Sequence, residues 1–169
     1  MKPSPYWRLV WVGLLGVWVF AALLYGSLPE RIPRHFGLDG AVTGWDPKGA
    51  FWFLPVAASL VVLLPYFLLH LALKGRNSLS LPHRATFEAL PSDGQERVLQ
   101  RLSGWVAGLS LVALLLFAQL QYEVHQVATG QVQKLGAGVW VALLGLGWCL
   151  VWMRLDLGRA VGCEAQRTR

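Results

Sequence analysis

Few residues in this chain could do chemistry, and they gather near one stretch. Residues 28–48 read LPERIPRHFGLDGAVTGWDPK, a short polar segment between two long apolar runs. His35 is its one imidazole, and an imidazole titrates near neutral pH and binds metals readily. Glu123 and His125 follow the third apolar run. Two histidines and a carboxylate are a donor set for zinc, so His35, Glu123 and His125 are the candidate metal ligands. Residues two apart on a helix do not share a face, so that site needs the helix to end between 123 and 125. The plainer readings are that His35 holds the loop by a local hydrogen bond, and that Glu123 and His125 are helix-end polarity. Asp39-Gly40 is a turn signal, since glycine accepts positive φ. Trp45-Asp46-Pro47 reads as a helix start, with Asp46 as cap and Pro47 in the first turn. The candidate ligand-binding or loop-organising residues are therefore Pro29, Pro33, His35, Phe36, Asp39, Gly40, Trp45 and Asp46.

The chain carries no His-Glu zinc-protease helix, Ser-Lys pair or phosphate-cradling glycine loop. No apolar run has an acid or base near its centre, which ion-coupled carriers and proton relays need. No catalytic residue and no cofactor is expected. Cys149 and Cys163 fit neither a disulfide framework nor a metal spacing and read as free thiols.

The elements that must position these residues are membrane helices. Of the 169 residues, 55% are hydrophobic and only 14% are Asp, Glu, Lys or Arg, against about 25% in soluble domains. The mean hydropathy is +0.47. The apolar residues form four blocks, at 8–27, 49–73, 102–122 and 135–153, each near the ~20 residues a helix needs to cross hydrocarbon. The first is longer than a signal-peptide core and lacks a small-x-small cleavage pattern, so it reads as a retained span. The fold class expected is all-α: an integral membrane four-helix bundle with a short structured extracytoplasmic loop between helices 1 and 2. The chain divides into a membrane hairpin at 1–75, a polar segment at 76–101, a second membrane hairpin at 102–153 and a basic tail at 154–169. Ser92-x-x-Gln95 resembles a capping box, so the third helix starts near Asp93 and runs into its span. Val98, Leu99 and Leu102 give that start an apolar stripe, to rest on the membrane surface or a neighbouring helix.

Eleven of the 15 Lys and Arg fall in the two termini and the middle segment, which places all three in the cytoplasm of a plasma membrane. The formal charge of +6 then serves topology rather than nucleic acid. The bilayer is the expected partner, and a peptide or protein is a candidate at the outer face. Gly104-x-x-x-Gly108 has the spacing for close helix approach, within the chain or in a homodimer. Gln119 and Gln121 are expected to pair across helices.

The segment LPERIPRHFGLDG, followed by GWDPK and an apolar span, resembles the family of domain of unknown function 1648. Leu28, Pro29, Ile32, Pro33, His35, Phe36 and Gly40 fit its pattern, as do Gly44, Trp45 and Lys48. The resemblance covers residues 8–73. The same segment occurs in SdpI-type immunity proteins, which protect bacteria from a secreted toxin. It implies a bacterial membrane protein of non-catalytic role that senses, binds or protects at the extracytoplasmic face. A small transporter or accessory subunit and a membrane enzyme with an outer-face metal are the alternatives.

Overall fold

The computed structural model describes residues 4–75 and 84–167. Four helices are long and apolar enough to cross a membrane: Tyr6–Tyr25, Lys48–Leu71, Ser92–Ala128 and Ala137–Arg167. The multi-pass membrane character read from the apolar blocks therefore holds. In chain order the elements are α1 (Tyr6–Tyr25), β1 (Arg31–Phe36), β2 (Val42–Pro47), a 3-10 turn (Lys48–Trp52), α2 (Phe53–Gly75), α3 (Arg84–Glu88), α4 (Ser92–Ala128) and α5 (Ala137–Arg167).

Residues 28–48 are not an irregular loop. They fold as an antiparallel β-hairpin, so the all-α expectation is corrected to mostly helical with one small two-stranded sheet. Arg31 lies opposite Pro47, Ile32 opposite Asp46 and Pro33 opposite Trp45; the register then slips, so that His35 faces Gly44 and Phe36 faces Val42. The slip leaves Arg34 as the extra residue of a bulge. Pro33 has no N–H to give and is tolerated because a two-stranded ribbon has only edge strands. Trp45-Asp46-Pro47 is thus strand rather than helix start. Helical backbone begins at Lys48 with no side-chain cap, because Asp46 is drawn across the ribbon to Arg34. The Lys48 amide donates to the Glu30 carbonyl at 2.9 Å and closes the base of the hairpin.

α4 is the central element: α1, α2, β1 and α5 all pack on it, and α1 also packs on α2. One apolar core joins Val10 and Val17 of α1, Ala58 and Val62 of α2, and Ala107 and Leu114 of α4. Toward the chain's basic end it takes in Phe87, Leu90, Val98, Leu99, Leu102, Leu157 and Val161. The expected stripe at Val98, Leu99 and Leu102 is therefore covered by neighbouring helices. The capping box does not form. Gln95 reaches back to the carbonyls of Glu88 and Leu90 instead. α5 buries Val139, Leu157 and Val161 and leaves Val141, Leu144, Trp148 and Val151 exposed, a surface suited to hydrocarbon. Both helices outrun the expected spans: α4 continues to Ala128, and α5 continues through the basic stretch as far as Arg167. Two ion pairs hold the α5 extension to the first turns of α4. Arg97 meets Glu164 at 2.7 Å, and Arg101 gives Nε and Nη2 to the two Asp156 oxygens at 2.7 Å each.

Candidate functional site

The hairpin does not stand free above the helices. Ile32 is buried with Ala21, Leu28, Phe51 and Val124, so β1 lies across the ends of α1 and α4. Phe36 packs on that cluster and also on a second one, formed by Leu116, Leu135 and Val139. At the tip, Gly37 and Gly40 close a turn by a 2.9 Å backbone bond, and Gly40 adopts φ +79. The Asp39 carboxylate accepts the Ala41 amide at 3.2 Å, which fixes the turn locally. The Gly40 carbonyl then accepts the Leu135 amide at 2.9 Å. A Cβ at Gly40 would stand 2.7 Å from the Leu135 oxygen, so the docking requires glycine there on two counts.

Between hairpin and helices a cleft of about 270 Å³ opens. Ile32, Phe51, Leu54 and Val124 make an apolar floor, and Arg34 and Asp46 stand at its mouth. The pair is a 3.0 Å contact in which Asp46 is largely covered and Arg34 is more than half exposed. A floor of that kind takes an aliphatic or aromatic group, and the guanidinium orients a polar or anionic end. Its lining holds no thiol, hydroxyl or imidazole.

Of the expected site residues, Pro33 and Asp46 reach this cleft. Asp39, Gly40 and Phe36 organise the hairpin instead. Pro29 is exposed at its entry. Trp45 points to solvent and is 53% exposed. His35 is exposed as well, with its ring over Gly44, where an added Cβ would come within 3.2 Å of Cδ2. Its contact is this packing against bare backbone.

The proposed metal set does not assemble. α4 runs unbroken past residues 123 and 125, so their side chains leave on different faces. His125 meets the Ser27 hydroxyl at 2.7 Å, toward α1. The Glu123 carboxylate, 8% exposed, accepts Gln119 Nε2 at 2.7 Å and the Gly136 amide at 2.5 Å, toward α5. Among the described residues no group of three or more His, Cys, Asp and Glu could hold a metal ion. Gln119 does not pair across helices as expected but donates to Glu123 of its own helix. Gln121 is wholly buried, and among the described residues neither its amide nitrogen nor its oxygen has a partner.

The sequence reading missed Arg34 and the residues beneath the hairpin. The pattern Ile-Pro-Arg-His-Phe, turn, Val-Thr-Gly-Trp carries β-branched and aromatic residues on both sides of Asp-Gly, which is a hairpin signature. The two prolines masked it. The roles of Val124 and Leu135 depend on contacts between distant segments.

Residues 12–58 match the family model described as domain of unknown function, DUF1648. The match spans most of α1, the hairpin and the start of α2. No curated protein and no solved structure gives a significant match to the chain.

Proposed function

We propose that this chain is a bacterial inner-membrane protein that binds a ligand at the hairpin face, in a sensing or immunity-type protective role without catalysis. The supporting observation is the cleft under the hairpin, with Ile32, Phe51, Leu54 and Val124 below and the Arg34–Asp46 pair above. An apolar floor with an exposed guanidinium, itself paired to Asp46, at its mouth suits an amphipathic group, such as an apolar residue of a peptide or protein partner beside a carboxylate. The excess of Lys and Arg in both termini and the middle segment puts those parts in the cytoplasm and the hairpin outside. The four-helix bundle then serves as a rigid stand for the hairpin.

Two measurements test this. With Cys149 and Cys163 changed to Ser, a membrane-impermeant maleimide should label Thr43→Cys on intact cells and label Glu96→Cys only after lysis. Labelling of both positions from one side would overturn the orientation. Leu54→Trp, which fills the cleft floor, should abolish protection of a sensitive host against secreted peptide toxins while the protein still inserts. Full protection by the inserted Leu54→Trp protein would rule out the cleft as the site.

A further inference from the structure

A second concavity lies at the opposite, basic end, on the lipid-facing side of α4. It has a volume of about 480 Å³ and is lined by Ser4 and Tyr6 at the start of α1 and by Gln100, Arg101, Gly104, Trp105, Gly108 and Leu111 of α4. Residues 100, 104, 108 and 111 follow one stripe of the helix, and the stripe rises roughly 16 Å at 1.5 Å per residue. That is about one leaflet of a 30 Å hydrocarbon core. Along it the lining passes from an amide and a guanidinium, through an indole, to bare backbone and a leucine.

The groove floor is open. A Cβ built on Gly104 or Gly108 meets nothing within 4 Å, so the small-residue spacing does not serve helix packing within the chain. An exposed guanidinium, paired with a more covered carboxylate, stands at the mouth. In the Arg101–Asp156 pair the arginine side chain is 55% exposed and the aspartate 18%. The pair uses Nε and Nη2, and Trp105 Nε1 adds a third donor to the same carboxylate at 2.8 Å. Nη1 is left without a partner among the described residues. A trough that faces hydrocarbon does not stay empty, because its walls would forfeit their dispersion contacts. Water cannot fill it at the depth of Gly108.

We propose that this groove is a binding site for one anionic phospholipid, its phosphate at Arg101 and Gln100 and one acyl chain lying over Gly104 and Gly108. Guanidinium and phosphate are matched in charge and geometry. The glycine stripe lies between Tyr6 and Trp105, a channel that suits a single acyl chain better than the ~10 Å cylinder of another helix. The proposal needs only that α4 crosses the bilayer and is independent of the role of the hairpin.

The test is native mass spectrometry of the full chain, delipidated in mild detergent and offered dioleoyl phosphatidylglycerol or dioleoyl phosphatidylcholine. The wild type should retain one phosphatidylglycerol, with about tenfold preference over phosphatidylcholine, whose choline cation offsets the phosphate charge that Arg101 would meet. Gly104→Leu/Gly108→Leu, which fills open space, should lose that lipid at unchanged helix content. Equal retention of both lipids would overturn the headgroup assignment. Unaltered retention by the double variant would overturn the site, and so would a dimer mass that the double variant abolishes. Should the double variant fail to fold, a diazirine-bearing phosphatidylglycerol on the wild-type chain decides: crosslinks within 100–111 are expected, and crosslinks only elsewhere refute the site.

Discussion

The Glu123 carboxylate accepts the Gly136 amide at 2.5 Å, while the preceding amide, that of Leu135, donates to the Gly40 carbonyl at 2.9 Å. Consecutive backbone donors just ahead of α5 are thus shared between α4 and the hairpin tip. An anion at the start of a helix also complements its dipole. Glycines make the approach feasible, since a Cβ at Gly136 would lie 3.1 Å from Glu123 Oε1.

Glu123→Ala should therefore destabilise the protein by about 1–3 kcal/mol, because it strands the Gln119 and Gly136 donors. Glu123→Gln, which keeps an acceptor, should cost less. Thermal unfolding in detergent measures both, and hydrogen exchange should show the loss first at the beginning of α5. Equal stability of the alanine variant would deny the carboxylate this role.

Gly40→Ala combines positive φ with a 2.7 Å contact at the Leu135 oxygen. The expected cost is about 1–3 kcal/mol. Limited proteolysis should show the hairpin tip cut faster while α4 stays intact. An unchanged cleavage rate would mean that the tip is not held by Leu135.

Gln121→Leu should raise stability by about 1–3 kcal/mol, since it removes a buried donor and acceptor that no described residue satisfies. The melting temperature of the variant in detergent reports the sign. A fall would show that the amide is hydrogen-bonded in the membrane.

Asp156→Ala removes the acceptor shared by Arg101 and Trp105. The pair is partly exposed, so the cost should be only about 1 kcal/mol. Tryptophan emission from Trp105 should shift as its indole loses the bond. The double variant Arg101→Ala/Asp156→Ala should recover part of the loss. A cost equal to the sum of the single variants would mean that the two residues do not interact.

The membrane helices were legible because block hydrophobicity is a one-dimensional property of the chain. The Asp39-Gly40 turn was legible because its φ requirement is local. Asp46 was misread for a physical reason: an Asx-Pro pair can open a helix, but a guanidinium across a ribbon competes for the same carboxylate, and that competitor becomes visible only with the pairing register. The Glu123–His125 pairing failed on helix length, since nothing in the run Glu123, Val124, His125, Gln126 stops α4 before Thr129. The cleft floor was not legible at all, because Ile32 and Val124 meet only through packing of segments nearly a hundred residues apart.

The arrangement of the hairpin has a consequence for anyone who would isolate it. Its underside leans on Val124 and its tip on Leu135, both outside the matched stretch of residues 12–58. A peptide ending after α2 would carry Ile32 and Phe51 uncovered and one carbonyl at the tip without its donor. Such a fragment should self-associate or borrow a surrogate helix from another chain, so functional work on the hairpin needs a chain that keeps α4 and the first turn of α5.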